Sequence, residues 1–295
     1  MSHPAASRRI LGVLPTTALA ALWMSGTVAS FMAMAISVRE LSDTLHTFEI
    51  LTLRSIIGLI VVYLVVTLSR DSTLQSRQPR WQLRRNLLHF FGQAGWTYGL
   101  GVLPLAMVFT LEFTVPAWTA LLAVLFLGER FSRNRGVSVA GGIIGVLVIL
   151  RPDTAIPDAA ALVVLGAAVA YAGAHTMTKQ LTRTDGALAI LFWMSAIQLP
   201  LGLGANAAFG TWVMPTMGDL PWVFMVGLAA LSAHFCMTRA LRLADATIVM
   251  PLDFIRLPLI VLVGWAFYGE ALRLEVVIGA SVIIVSLLYA LRCER

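Results

Sequence analysis

Ten apolar stretches, each close to the roughly 20 residues that carry a helix across a bilayer, succeed one another along the chain. They fall at about 13–36, 45–68, 83–102, 104–127, 135–150, 159–179, 187–209, 221–241, 246–268 and 275–291. Little is left between them for a water-soluble domain. With 59% apolar and 12% charged residues, the chain lies outside the range of globular proteins and reads as an all-α membrane protein with ten transmembrane helices. Basic residues in short loops resist translocation. A cytoplasmic N-terminus puts both tails, Lys179, Arg183 and the arginines of 70–85, 130–135 and 239–242 on the inner side, leaving Arg39, Arg151 and Arg273 outside. This bias accounts for the net charge of +6 without a nucleic-acid partner. The basic run 77–85, "RQPRWQLRR", reads as a stop-transfer loop, with an anionic-lipid site as the alternative. The first apolar run is too long for the core of a signal peptide and reads as a retained helix. Cys236 and Cys293 fall toward the reducing side and imply no disulfide.

Two stretches place a carboxylate where a helix should meet only hydrocarbon. Residues 111–130 read "LEFTVPAWTALLAVLFLGER", and residues 252–271 read "LDFIRLPLIVLVGWAFYGEA". A shift of 141 residues sets Glu112 on Asp253 and Gly128–Glu129 on Gly269–Glu270, and also Gln93 on His234 and Thr97 on Thr238. A shift of 148 sets Trp23, Thr27 and Ser30 against Tyr171, His175 and Thr178. Each half holds an odd number of spans, so the second half enters the membrane inverted. The chain then divides into a tail over 1–12, a five-helix repeat over 13–150, an external linker over 151–158, an inverted five-helix repeat over 159–291 and a tail over 292–295. Inverted repeats allow two equivalent halves to open a central site to either side in turn, the architecture of secondary transporters.

The "LGER" after the fourth span, "YGEA" after the ninth, the early tryptophan of the first, the arginine in "LTLRSIIGL" and the proline in the fourth together resemble the EamA-type drug/metabolite transporter superfamily over nearly the whole chain. The resemblance implies ten helices in two EamA-like repeats. It also implies substrates such as amino acids, nucleoside-like metabolites, vitamins and S-adenosylmethionine, and leans toward export, amino-acid export included. The family's Trp-Gly-x-Asn opening is replaced here by Trp23-Met24-Ser25-Gly26, so no subgroup's substrate transfers.

A charge in the bilayer interior costs several kcal/mol on the lenient scale of about 2.5 to 3.5, so a buried acid needs a partner or a wet cavity. At 1.5 Å per residue Glu112 lies roughly 12 Å and Asp253 roughly 10 Å inside their spans, and Arg54 and Arg256 stand at comparable depth. Two roles are open: structural ion pairs, Glu112 with Arg54 and Asp253 with a nearby arginine, or a pathway lining with room for a coupling proton. Helical spacing puts Trp23, Thr27 and Ser30 on one face, and likewise Tyr171, His175 and Thr178, His89, Gln93 and Trp96, and His234 and Thr238. Singly, such groups read as interhelical hydrogen bonds; four matching stripes read as a central cavity. The substrate-binding set expected from the sequence is therefore Trp23, Thr27, Ser30, Arg54, Gln93, Trp96, Glu112, Tyr171, His175, His234, Asp253 and Arg256.

Other features read as structural. The Gly-Glu pairs end helices, the glycine taking a left-handed cap and the acid favouring the N-terminus of the next helix. Gly92, Gly95 and Gly99, and Gly141 with Gly145, permit close helix contact; the latter pair offers a homodimer surface as an alternative. His3 and His46 read as loop residues and Lys179 as an orientation anchor.

The chain is expected to be a secondary transporter, moving a zwitterionic or aromatic amphipathic metabolite, an amino acid or a nucleoside-like compound, by alternating access across a bacterial inner membrane, the arginine-over-lysine usage pointing to a bacterial chain. Uptake of a cation such as S-adenosylmethionine is the alternative. A membrane enzyme is disfavoured: the sequence holds no H-E-x-x-H, G-x-S-x-G or phosphate-cradling P-loop, and it calls for no metal or cofactor. A scaffolding subunit, whose polar stripes would be interface groups, is a further reading.

Overall fold

In a computed structural model, described over residues 16–69, 74–127, 133–150, 158–210, 212–243 and 252–293, most of the described residues are helical. They are α1 (Thr16–Leu41), α2 (Thr47–Ser69), α3 (Pro79–Val102), α4 (Leu105–Glu112), α5 (Val115–Leu127), α6 (Arg133–Leu150), α7 (Ala159–Leu181), α8 (Ala187–Phe209), α9 (Leu220–Leu243), α10 (Arg256–Tyr268) and α11 (Leu274–Cys293). Stretches Ala18–Leu41, Thr47–Leu68, Ala159–Thr178, Ala187–Phe209 and Leu220–Ala240 are long and apolar enough to cross a membrane. α3 is long enough but buries Gln82, Arg85, Asn86, His89 and Gln93 along one side. Outward-facing leucines and aromatics such as Leu22, Leu64, Phe91, Leu125, Phe224 and Leu262 form the apolar exterior, as a lipid-facing surface requires.

The boundaries repeat almost residue for residue. α2 and α8 match at an offset of 140; α3 and α9, and α5 and α10, match at 141. The turns after α1 and α7 also correspond at 140, Leu41 to Leu181 and Thr47 to Ala187. This corrects the 148-residue alignment of the first and sixth spans: at the structural offset Tyr171 corresponds to Phe31, and Trp23, Thr27 and Ser30 are not its stripe's counterparts. The extra eight residues gave a match in polarity at the expense of the helix ends.

The largest interfaces obey the same exchange. α1 packs on α9 as α7 packs on α3, and α2 meets α9 as α8 meets α3. The pairs α2·α8 and α6·α11 each map onto themselves. A polar contact obeys the rule too: Thr44 Oγ1 donates to Asp219 Oδ1 at 3.0 Å, and Gln78 Nε2 donates to Thr184 Oγ1 at 3.0 Å, both pairs being related by these offsets. The fold is thus ten spans in two inverted five-helix repeats.

The fourth span, expected to be continuous over 104–127, is broken at Phe113–Thr114. Pro116 lacks an N–H and its ring crowds the carbonyl four residues back, so it is tolerated only in a first helical turn. The Thr114 hydroxyl takes up the Leu111 carbonyl at 2.6 Å. The ninth span breaks at the equivalent Phe254–Ile255, ahead of Pro258.

The glycine faces are used inside the molecule. A Cβ on Gly95 would stand 3.0 Å from Ala167 Cβ and 3.1 Å from the Val163 carbonyl on α7. On α6 and α11, Gly145 and Gly279 press on one another's carbonyls, at 2.8 and 2.7 Å from the positions their Cβ atoms would take, and Gly141 faces Ser286. The α6 glycines therefore seat α11, rather than offering a dimer surface. A Gly145→Val substitution has to push two backbones apart and is expected to destabilise the protein by about 2 to 3 kcal/mol, read as a lowered Tm of the purified protein.

The Gly269 cap behaves as expected, with φ +62°, whereas its acid does not. Glu270 accepts the Leu105 N–H at 2.8 Å, so it stabilises the N-terminus of α4 in the other repeat, not that of the following α11. It also pairs with Arg39, whose guanidinium donates to the Leu103 carbonyl at 2.8 Å. The N-terminal tail with His3, the linker 151–157, Gly128–Glu129, the start of the ninth span, the Lys179 side chain and the Cys293 side chain lie outside the described residues. Cys236 is a free, buried thiol.

At the turn between α7 and α8, Asp185 is buried, which by itself pushes its carboxyl up. Hydrogen bonds from Ser76, Gln82, the Arg77 N–H and Thr184 overcome this and hold it below the ordinary aspartate range. A depressed folded-state value means stability that is present above the unfolded value and lost as pH falls through the folded one. Asp185→Asn is expected to lower stability by about 2 kcal/mol at neutral pH, the gap to wild type closing as pH falls through the aspartate range in pH-dependent thermal melts.

Candidate functional site

The two helix breaks meet, and the two acids meet with them. Arg256, at the start of α10, donates from the same nitrogen, Nη2, to Glu112 Oε1 at 3.1 Å and to Asp253 Oδ2 at 3.0 Å. Trp96 Nε1 on α3 donates to the other Glu112 oxygen at 2.8 Å. The guanidinium lies near the rings of Phe31, Phe109 and Phe113, 4.6, 5.1 and 5.1 Å from its central carbon, where cation–π attraction offsets part of its desolvation. Breaking each span directly after its acid presents the carboxylate at a bend instead of within a continuous helix wall. Discontinuous helices near the midplane at a repeat interface are where carriers of this symmetry place their sites.

The expected Glu112–Arg54 pair is not formed. Arg54 Nη1 donates instead to Gln198 Oε1 at 3.1 Å, and Gln198 Nε2 lies 2.8 Å from His89 Nδ1. An arginine at the break itself outcompetes one on α2 for both carboxylates, and Arg54 is left with an uncharged amide. This relay joins α2, α8 and α3.

An aromatic wall continues from His89. Its ring sits 5.4 Å from Tyr171 and 5.9 Å from His234, and Tyr171 stacks on His175 at 6.2 Å. Gly92 makes the approach of α7 feasible, since a Cβ there would stand 2.9 Å from the Tyr171 ring. Tyr171 and His234 are half-buried and His175 is exposed, so the wall presents an accessible face. Further along α3, Arg85 is buried; its Nε donates to Thr178 at 3.1 Å and its Nη1 to Asn86 at 2.7 Å.

The other predicted residues divide. Gln93 lies one turn from Trp96, buried, with its Nε2 unpartnered. Ser30 donates to Ser232 at 2.9 Å, Thr27 returns its hydroxyl to the Trp23 carbonyl at 3.3 Å, and Trp23 meets Phe235 edge-on at 5.9 Å. That stripe is occupied in the α1·α9 seam rather than joined to the acids. Sequence reading missed Gln198 and Arg85. The repeat partner of Gln198 at offset 140 is Gly58, so symmetry could not flag it, and Arg85 was hidden in a run that reads as a loop but forms the first turns of α3. Arg84, its neighbour, does face outward, 5.9 Å over Trp81.

The model of the EamA-like transporter family matches residues 18–151 and 158–292. The chain belongs to that family. It is 26% identical over 282 residues to the S-adenosylmethionine uptake transporter of Rickettsia bellii, covering 96% of each chain. It is 32% identical over 223 residues to the riboflavin transporter of Rhizobium johnstonii, covering 76% of this chain and 74% of that one. To the pseudopaline exporter of Pseudomonas aeruginosa it is 26% identical over 288 residues, covering 97% and 99%. A solved crystal structure superposes with a TM-score of 0.65 at 17% identity, over 94% of this chain and 98% of the other, which establishes a shared fold. Family and relatives together make this a membrane transporter of a small metabolite and not an enzyme.

Proposed function

We propose that the chain carries a planar heteroaromatic metabolite by alternating access, held against the His89–Tyr171–His175–His234 wall beside the paired helix breaks. The observation that carries this reading is that wall: α3, α7 and α9 each contribute a ring, and the wall retains an accessible face. Flat rings stack on aromatic side chains irrespective of their substituents, at about 1 to 3 kcal/mol for a nucleobase. S-adenosylmethionine and riboflavin, the solutes in two relatives' names, each join a flat nitrogen heterocycle to a hydroxylated chain. Both acids of the site are engaged by Arg256, which favours a neutral or anionic ring over a sulfonium cation. The nucleoside-like half of the sequence expectation is kept; a simple amino acid has no use for the wall, and amino-acid export is not carried forward.

Direction is not a property of the site. An alternating-access carrier runs down whatever gradient it couples to, and the relatives' names include both uptake and export. Two carboxyls facing one guanidinium leave one negative charge over, which a coupling proton neutralises. The arginine distribution supports a bacterial inner-membrane location with both tails cytoplasmic.

Purified protein in liposomes loaded with riboflavin, adenosine or tryptophan tests the reading. Exchange with labelled external solute is expected for a ring-bearing solute, lowered about tenfold by Tyr171→Ala, the loss of roughly 1.4 kcal/mol of stacking. Flux no greater than in protein-free liposomes for all three solutes refutes it.

A further inference from the structure

We propose that Arg54 and Arg85 form an anion-receiving subsite, and that the carried ring bears a carboxylate or a phosphate monoester. This rests on the transport reading and names the chemistry of its substrate.

Charge compensation is uneven across the buried arginines. Arg256 has two carboxylates, and Arg39 has Glu270. Arg54 and Arg85, 4% and 3% exposed, have no acidic partner among the described residues. Arg54 holds an amide oxygen, and its Nε is unpartnered. Arg85 holds a threonine hydroxyl and the side-chain carbonyl of its neighbour Asn86. These neutral acceptors orient the two guanidinium groups without neutralising them. A cation within a membrane span is costly and conventionally marks a pathway, and two of them compound the cost. An anion arriving with the solute removes it.

The placement suits an amphipathic solute. Arg85 precedes His89 by one helical turn on α3, and Arg54 reaches His89 through Gln198. On α8, the Trp193 carbonyl accepts from Asn86 Nδ2 at 3.4 Å, so the α3·α8 seam fixes both guanidinium groups relative to the wall. Asp185, which accepts from Gln82 on the same helix as Arg85, is already taken by Ser76, Gln82, Arg77 and Thr184 and does not compete. A solute stacked on Tyr171 and His175 thus has guanidinium groups within reach of a side arm. Guanidinium forks match carboxylate and phosphate oxygens.

The experiment compares probes that share a ring and differ in charge: riboflavin with flavin mononucleotide, adenosine with adenosine monophosphate, and nicotinamide with nicotinate. Binding to the purified full-length protein is read by intrinsic tryptophan fluorescence and by shift in Tm. In at least one pair the anionic member is expected to bind about tenfold more tightly. The preference should disappear in Arg54→Gln and Arg85→Gln, return in Arg85→Lys, and persist in the exposed control Arg84→Gln. Equal affinity within all three pairs, no binding by any anionic member, or a preference that survives both glutamine substitutions overturns the proposal. The two readings fail separately. Charge-selective binding without flux in liposomes sinks the transport reading and spares the anion subsite; flux of the neutral members alone does the reverse. If a glutamine variant fails to fold, the comparison of Arg85→Lys with wild type across the pairs decides, an unchanged fold and a retained preference being the expected result and a lost preference the contrary one.

Discussion

Arg256→Gln is expected to remove most of the folded protein and all transport. The substitution leaves Glu112 and Asp253 facing one another in the bilayer interior with no cation between them, and breaking a buried pair by removing one partner costs about 3 to 5 kcal/mol. Marginal stability makes that a large fraction of the total. The triple variant Arg256→Gln, Glu112→Gln, Asp253→Asn carries no stranded charge and should recover most of the loss in Tm, because groups in one network do not contribute additively. Transport should stay absent in the triple variant. Monodisperse elution and Tm in detergent report the fold, and liposome exchange reports the function. A triple variant as unstable as the single one would show that shape, not charge, is what Arg256 supplies. A triple variant with wild-type exchange would show that the acids serve packing alone.

Glu270→Ala is expected to loosen the end of the molecule where α1, the α3–α4 turn and α10 converge. The carboxylate bonds Arg39 with one oxygen and the Leu105 N–H with the other. Tyr268, two residues earlier, donates to Glu40 at 2.7 Å and lies 5.5 Å from the Arg39 guanidinium. One acid thereby ties both repeats together at a helix N-terminus, where a negative charge is favoured. Losing a coupling of about 1 to 3 kcal/mol shifts a two-state equilibrium by about 5- to 150-fold. Ser42, half-buried against Gly101, is a suitable reporter. A Ser42→Cys thiol, with Cys236 and Cys293 replaced by serine, should react faster with a membrane-impermeant maleimide in the Glu270→Ala background. Unchanged labelling would show that this ion-pair cluster does not hold the end closed.

Much of the site was legible because its costs are local. A carboxylate in an apolar span stands out in any chain, and Glu112 and Asp253 were found at once, as was Arg256. Tyr171, His175 and His234 emerged from helical spacing, and the structure sets them along one wall with His89. The partnership among the charges was not legible. Arg54 and Arg256 look equivalent by depth, and only the turn geometry at Phe254–Ile255 decides that Arg256 reaches both acids. Trp23, Thr27 and Ser30 show the opposite failure, since a correct helical face does not reveal which helix will cover it.

The 148-residue alignment is instructive for a related reason. Matching polar letter to polar letter, Trp23 to Tyr171 and Thr27 to His175, maximises chemical likeness, whereas the repeat is conserved in its joints. The turns at 41–47 and 181–187 agree at 140, and sequence sees them poorly because turns tolerate many residues. The structural offsets also place Lys179 opposite Arg39 and Glu129 opposite Glu270.

By itself the sequence determined the solvent, the number of spans and their duplication with inversion. These follow from apolar length and from odd parity, which no packing arrangement can alter. Tertiary structure alone decided that one guanidinium serves two acids, that Arg54 is tied to Gln198 and His89, and that Glu270 caps a helix of the opposite repeat. Each of those is a choice among partners distant in the chain, made by where two prolines and a left-handed glycine let the backbone bend.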